Sequence, residues 1–133
     1  MEAKTIVEAE AAKSQTHELL EFMFRLGQAY LAAGEQTAKV ELVLRRVATA
    51  HGVRRSRVVA FPTAIFISVL EGAEERVTLA EGPAETLRLD QIADVYKLGE
   101  AAQRGELAPR AGLERLGEVL RTPPRFGAFG AIV

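Results

Sequence analysis

The chain has 133 residues, a formal net charge of −1 and a hydrophobic fraction of 48%. This length suits one domain around a single core, and nucleic-acid binders are usually far more basic. The sequence has no cysteine, which excludes disulfides and thiolate metal sites. The N-terminus lacks the apolar core of a signal peptide, and no internal apolar run approaches the ~20 residues of a membrane helix. A soluble intracellular domain is therefore expected.

The first third of the chain predicts a lead-in followed by a buried helix. Residues 1–14 carry few large apolar side chains and are interpreted as a flexible or helical extension. A helix is predicted at about 15–33, with Ser14 or Thr16 as its N-cap and Gly34 as its C-cap. Its apolar residues recur at helical spacing on two stripes, which indicates a mostly buried helix. These are Leu19, Phe22, Met23, Leu26 and Tyr30, and then Leu20, Phe24 and Leu31.

A second helix is predicted at about 37–51, with Thr37 as its N-cap and Gly52 as its end. One clean apolar stripe consists of Val40, Val43, Leu44 and Val47. Only a few residues separate the two predicted helices, so we expect them to pack as a hairpin.

After the second helix, the spacing of the apolar residues changes from the helical period to the alternation that is typical of strands. The segment "VVAFPTAIFISVLEG" is rich in Val, Ile and Phe, and "RVTLAEG" follows as a partner strand. Pro62 cannot donate to a ladder, so it is expected at a strand start, a bulge or an edge. Two strands are predicted, and a third before Pro62 is left open.

Two more helices complete the pattern, at about 89–104 and from Pro109 to the prolines at 123–124. The order α-α-β-β-α-α predicts an α+β fold in which two helical hairpins cover a small antiparallel sheet. One domain is expected at 15–122. The residues expected to form the core are Leu19, Phe22, Met23, Leu26, Val40, Val43, Leu44, Val47, Ile65, Ile67, Val77, Leu79, Ile92, Tyr96, Leu113 and Leu116.

The residue types for catalysis are sparse. His17 and His51 are the two histidines, and two ligands do not make a zinc site, so neither a metal nor a cofactor is expected. Thr63 and Ser68 lie on the apolar strand, but no nucleophile elbow surrounds them. A strand hydroxyl satisfied by backbone or water is the simpler interpretation.

Two groups of polar residues remain as candidate sites. The first is a set of anion-binding candidates, which consists of Arg45, Arg46, Arg54, Arg55 and Arg57. It contains no aromatic platform for stacked bases, and it also fits a solvated face. The second is the pair Thr37 and Glu41, which lie one turn apart on the same face of the second helix.

A resemblance adds to this reading. The string "LAAGEQTAKVELVLRRVATAHGV", followed by "FPTAIFISV", resembles the N-terminal cytoplasmic domain of the threonine/serine exporter family, the ThrE/YjjP type. The later "GELAPRAGLERLGEVLRTPPRF" is similar to the close of that domain. The matching positions are Gly34, Thr37, Val40, Glu41, Gly52, Val53, Pro62 and Thr63. The resemblance covers about residues 18–126.

The resemblance implies that the proline exit leads into the first membrane helix of an exporter. Residues 123–133 are accordingly interpreted as this exit and the start of a truncated membrane segment, and the short apolar "FGAFGAIV" suits such a start. Arg121 and Arg125 would then flank the membrane on its cytoplasmic side.

The leading hypothesis is a regulatory or assembly domain, without catalysis of its own, of an exporter for threonine, serine or a similar small acid. Expected partners are the exporter's membrane domain, on the same chain or another, and a second copy in a homodimer. One alternative is a small hydrolase acting on amino-acid derivatives or peptides, because the family's domain has been viewed as hydrolase-like. It requires a pocket that holds Thr37, Glu41 or Ser68 with a base within reach. For the domain in general, the candidate substrate-binding or functional residues are Gly34, Thr37, Glu41, Pro62, Thr63 and Ser68. A second alternative is a module that binds anionic lipid or nucleic acid through the arginines, although no nucleic acid is expected.

Overall fold

The computed structural model describes residues 2–71, 74–81 and 86–123. Within them the chain forms helices and strands in the order α-α-β-β-β-α-α. The elements are α1 (Glu2–Ala32), α2 (Thr37–Ala50), β1 (Arg55–Phe61), β2 (Ala64–Glu71), β3 (Glu74–Glu81), α3 (Leu89–Gln103) and α4 (Pro109–Arg121). The predicted α+β class is confirmed, with one strand more than the two that were predicted.

Helix α1 is longer than the sequence pattern predicted. It begins at Glu2, so Ser14 and Thr16 lie inside it and neither is an N-cap. The predicted helix began where the large apolar residues begin. The Ala- and Glu-rich stretch before that point has good helix formers, which extend the helix although its Ile6 and Val7 are 58% and 62% exposed. From Leu19 onward both apolar stripes are buried except for Leu31, which is half-buried and packs against the core.

A tight glycine turn connects α1 to α2. Gly34 has φ 87°, and the N–H of Glu35 donates to the carbonyl of Tyr30 at 3.0 Å, which closes the end of α1. Helix α2 has Gln36 as its N-cap, so Thr37 is its first helical residue rather than its cap. The buried face of α2 comprises Val40, Val43, Leu44, Val47 and Ala48.

The sheet has three antiparallel strands in the order β1-β2-β3. Phe61 pairs with Ala64, so Pro62 and Thr63 form a two-residue turn within the segment that had been predicted as one strand. Pro62 takes the first central position of this turn, where its fixed φ is suitable. The new strand β1 is an edge strand with alternating burial, in which Val58 and Ala60 face the core.

Helices α3 and α4 form the second hairpin. Its open end is closed by the side chain of Gln91, whose amide donates to the carbonyls of Val119 and Leu120 at 3.3 Å each. A guanidinium N–H of Arg88 donates to the carbonyl of Thr122 at 2.6 Å. Gln91 is 6% exposed and also accepts the N–H of Arg88, so this buried polar side chain is satisfied.

Helices α1 and α2 pack against one face of the sheet, whereas α3 and α4 pack mainly against α1, α2 and each other, so the first hairpin rather than both supplies most of the predicted cover. The side chains of Val58 and Ala60 on β1, and of Ile65, Ile67 and Val69 on β2, pack against the helices in a single core. Eleven of the predicted core residues are buried: Leu19, Phe22, Met23, Leu26, Val40, Val43, Leu44, Val47, Ile65, Ile67 and Leu116. The side chains of Val77 and Leu79 lie outside the described residues.

The buried residues of α3 lie on a different face of the helix from the residues predicted to be buried. Val95, Leu98 and Ala102 are buried, whereas Ile92 and Tyr96 are half-buried. Both sets follow helical spacing, so periodicity alone could not choose between them. Leu113 of α4 is also half-buried and packs against the core.

The other face of the sheet is not covered by a described element. It carries Phe61, which is 53% exposed, and Val59, which is 40% exposed. Arg55 and Arg57 precede them on the same face of β1, and the half-buried Phe66 and Leu70 of β2 lie opposite Val59 and Arg55. We call this surface the open sheet face. It is apolar toward the β1–β2 turn and basic toward the start of β1.

Candidate functional site

A cleft of about 640 Å³ lies where α1, the loop after α2 and the start of α4 meet. Apolar side chains line part of it, namely Leu19, Val53, Leu70 and Pro109. Its charged and imidazole lining consists of Glu18, His51, Arg54, Arg55 and Arg110. The volume falls in the range of about 300–1,000 Å³ that is usual for small-molecule sites. We refer to this cavity as the cleft.

His51 fixes one wall of the cleft. Its Nδ1 lies 2.8 Å from the carbonyl oxygen of Val47, and its Nε2 lies 2.9 Å from the carbonyl oxygen of Leu107. The imidazole therefore bridges the end of α2 and the loop before α4, with both ring nitrogens directed at the backbone. His51 is a positioning residue for this wall. His17 is exposed and is not among the residues that line the cleft.

The anion-binding candidates surround the start of β1 and are shared between three cavities. Arg54 and Arg55 line the cleft together with Arg110 of α4. A second cavity of about 480 Å³ contains Arg45, Arg46 and Arg54. A third, of about 550 Å³, contains Arg54, Arg55 and Arg57. Arg54 lines all three cavities.

These arginines are exposed side chains without ionic partners among the described residues. The ion pairs found there join Arg25 to Glu21, Arg88 to Asp90 and Arg104 to Glu106. The arginines around the start of β1 take part in none of them. Their guanidinium groups therefore remain available for an external anion.

Glu41 has a structural contact that its sequence position did not indicate. Its Oε2 accepts a hydrogen bond at 3.0 Å from the backbone N–H of Ala60 on the edge strand β1. Thr37 lies one turn earlier on α2 and is half-buried. The contact places Glu41 near the β1–β2 turn, where Pro62 and Thr63 are exposed. Gly34 serves the α1–α2 turn through its positive φ.

Ser68 lies on β2 in register with Arg57 and is 4% exposed. It lines the third cavity with Arg54, Arg55, Ser56, Arg57 and Leu70. None of these lining residues is a histidine or a carboxylate, so they supply no general base beside the hydroxyl. Thr37 and Glu41 line none of the three cavities, so the structure does not assemble them with Ser68.

A tyrosine pair connects the two helical hairpins, and the sequence analysis did not predict it. The rings of Tyr30 and Tyr96 meet edge to face with centroids 5.0 Å apart. The Tyr96 hydroxyl donates to Oε2 of Glu35 at 2.6 Å. This hydrogen bond lowers the pKa of Glu35, while desolvation, aided by the same bond, raises the pKa of Tyr96 to about 12. Desolvation also raises the pKa of Tyr30 to about 12.

The groups that line the cleft are of kinds that bind small charged molecules. Across the described parts of the chain, no cluster of three or more His, Asp or Glu side chains could hold a metal ion. The cleft offers guanidinium donors, one carboxylate and an apolar lining, which is a suitable set for recognising a small charged molecule. Arg110 was not among the sequence candidates, because it is more than fifty residues from Arg54 and Arg55 along the chain.

Of the comparisons with known proteins, the one with family models found a match. No curated protein and no solved structure matches the chain significantly. Within residues 2–71, 74–81 and 86–123, no helix is both long and apolar enough to span a membrane. One family model, described as "Putative threonine/serine exporter", matches residues 21–133. This match covers most of the chain and confirms the resemblance found in the sequence, so the chain belongs to the ThrE family of threonine/serine exporters.

Proposed function

We propose that this chain is a regulatory and assembly domain of an exporter for threonine, serine or similar small acids. It acts on the cytoplasmic side of the membrane and has no catalytic activity of its own. The family match supports the exporter assignment, since it includes α2, the sheet, α3 and α4. The interpretation of residues 123–133 as a proline exit and the start of a membrane segment is part of the proposal. Beyond Pro123 it lies outside the described residues.

The observation that carries the assembly role is the open sheet face. The helices bury one face of the sheet, while Val59 and Phe61 on the other remain 40% and 53% exposed. Large exposed apolar patches on soluble domains commonly mark interaction surfaces. The occupant that we propose for this face is a second copy of the chain, because two-fold pairing is the commonest closed arrangement. The exporter's membrane domain, on the same chain or on a partner, is then held by the paired domains.

Efflux of labelled threonine tests this proposal. The exporter that contains this chain would be expressed in cells without their own threonine export, as wild type and as Phe61→Ser. We expect efflux to fall severalfold in the variant at equal protein level, because assembly is impaired. Leu89→Ser is the matched control, since Leu89 is 85% exposed at the start of α3, whose main contacts are with the other helices.

Two results would contradict the proposal. Unchanged efflux in Phe61→Ser would show that the open sheet face has no role in the exporter. Equal losses in Phe61→Ser and Leu89→Ser would show a general effect of polar substitution. Hydrolysis of amino-acid esters or peptides by the purified chain would favour the hydrolase alternative.

A further inference from the structure

The cleft carries an unbalanced positive charge. Arg54, Arg55 and Arg110 line it together with a single carboxylate, that of Glu18. None of these four side chains forms an ion pair with another described residue. The three guanidinium groups are exposed, so water screens much of their mutual repulsion, and the field that remains attracts an anion. A bound dianion would balance the excess of two positive charges.

The position of Arg110 strengthens this argument. It lies in the first turn of α4, which contains no acidic residue. The first turn of a helix favours negative side chains, so a cation there opposes the helix dipole. Residues that break a local stability rule are expected mainly at functional positions. Arg110 faces the same cavity as the two arginines that follow α2, which suggests a shared ligand rather than a structural role.

The hydrogen-bond donors in the lining of the cleft indicate which chemical group the ligand carries. His51 directs both ring nitrogens at the carbonyls of Val47 and Leu107, so it shapes the cleft without supplying a free donor. Gln15 adds an amide to the lining, and the charged donors are guanidinium groups, whose planar forks suit phosphate and carboxylate oxygens. Three guanidinium groups around one cavity match the three terminal oxygens of a phosphate monoester better than the two oxygens of one carboxylate.

We propose that the cleft binds a small anion that carries a phosphate group, through Arg54, Arg55 and Arg110. The phosphate belongs either to a free phosphorylated small molecule or to a lipid headgroup. This proposal gives the domain a regulatory ligand, and it does not depend on the exporter role, because binding is measured on the isolated 133-residue chain. Threonine, which has no net charge at neutral pH, is not the expected ligand of this site.

The test is a titration with inorganic phosphate, followed by NMR or calorimetry at constant ionic strength. We expect saturable binding that weakens about tenfold or more in Arg110→Gln, as the loss of a charge-assisted hydrogen bond implies. Arg45→Gln is the matched control, because Arg45 belongs to the same basic region but lines the second cavity. It should change the affinity less than about twofold, as expected of an exposed charge outside the site.

Vesicle-binding experiments distinguish a lipid headgroup from a soluble phosphorylated molecule as the ligand. Phosphatidylcholine vesicles containing phosphatidic acid are compared with vesicles of phosphatidylcholine alone. Binding of the former that depends on Arg110 assigns the site to a headgroup. Binding of free phosphate without vesicle binding assigns it to a soluble ligand. Both outcomes support the proposal, and a thermal melt confirms that each variant is folded.

Three outcomes would overturn the proposal. The first is no saturable binding of phosphate to the folded wild-type chain or to the vesicles. The second is an equal loss of affinity in Arg45→Gln and Arg110→Gln, which would indicate only the diffuse field of the basic region. The third is binding of threonine at this site as tightly as phosphate.

Discussion

The carboxylate of Glu41 accepts the backbone N–H of Ala60 at 3.0 Å and so connects α2 to the edge strand β1. Ala60 directs this N–H away from β2, because the side of an edge strand that faces no neighbour cannot enter the ladder. Glu41 therefore satisfies a group that would otherwise be an open pairing site. The position that the family resemblance marked as functional also has a structural role.

The first prediction concerns this contact. We expect Glu41→Ala to lower the free energy of unfolding by about 1–3 kcal/mol, because a charge-assisted hydrogen bond at a partly buried site is lost. Glu41→Gln should cost less, since its amide oxygen can still accept the N–H of Ala60. Urea unfolding of the two variants measures the difference.

The export assay separates the structural role of Glu41 from the functional one. If Glu41→Gln is stable but export falls, the carboxylate has a role beyond the strand contact. If Glu41→Ala unfolds at the same urea concentration as wild type, the contact with Ala60 contributes nothing measurable, and the first prediction is wrong.

The second prediction concerns Gly99 on α3. A methyl group at this position would overlap the hydroxyl of Tyr30, which is 2% exposed and cannot move aside easily. We expect Gly99→Ala to destabilise the domain by about 1–3 kcal/mol, the usual cost of overpacking. Tyr30→Phe in the same chain should recover part of this loss, because the nearest atom is removed.

Gly117→Ala provides the control on α4. A methyl group there meets only the Arg121 guanidinium, with Nη1 at 3.2 Å, and this flexible side chain can shift. Helix propensity then favours alanine by up to about 1 kcal/mol. Opposite signs for the two substitutions in a denaturant melt are the expected result. Equal effects would show that packing against Tyr30 does not decide the outcome.

The third prediction is a pH dependence that originates in the bond between Tyr96 and Glu35. Folding lowers the pKa of Glu35, so its contribution to stability is present above the ordinary value of 4.5 and is lost as the pH falls below it. Folding raises the pKa of Tyr96 from 10.0 to about 12, so that contribution is present below pH 10 and is lost as the pH rises toward 12.

Tyr96→Phe tests both limbs of this dependence. The variant should shift the Glu35 pKa upward, toward its ordinary value, in an NMR titration. The chain has two tyrosines and no tryptophan, so phenolate absorbance reports directly on Tyr30 and Tyr96. In the folded wild-type chain both should ionise near pH 12. Ionisation of either near pH 10 in the folded state would contradict the prediction.

The sequence predicted most helix ends because strong local signals mark them. Gly34, Gly52 and Gly105 adopt positive φ after α1, α2 and α3, and Pro109 begins α4. These residues act through their own backbone, so no knowledge of the tertiary fold is required. The start of α1 lacks such a signal, so the sequence left residues 1–14 open as flexible or helical, and the helix begins at Glu2 rather than at about residue 15.

Features that depend on distant residues could not be predicted in this way. The sequence left a strand before Pro62 open, because that segment begins with arginines, and its pairing with β2 is what identifies it as β1. The arginines near β1 were visible as a cluster because they are close in sequence. Arg110 joins them only through the packing of α4 on α1, and the pair of Tyr30 and Tyr96 likewise requires α3 to meet α1.

The last prediction is the homodimer, which the sequence analysis expected and which we retain as a proposal. The sheet has three strands, and the helices cover one face of it, so Val59 and Phe61 expose apolar surface on the other. Pairing two such faces removes this surface from water, at about 25 cal/mol for each Å² of apolar area buried. Arg55 and Arg57 lie toward the other end of β1, so the apolar contact is centred near the β1–β2 turn.

Sedimentation equilibrium at micromolar concentration measures the result. Wild-type chain should show a species of twice 14.4 kDa that dissociates on dilution. Phe61→Ser should shift the equilibrium toward the monomer, whereas Leu89→Ser should leave it unchanged, because Leu89 is exposed on α3, whose main contacts are with the other helices. A monomer at all concentrations would rule the dimer out. A dimer that is insensitive to Phe61→Ser would place the contact on another surface, and the open sheet face would then need a different partner.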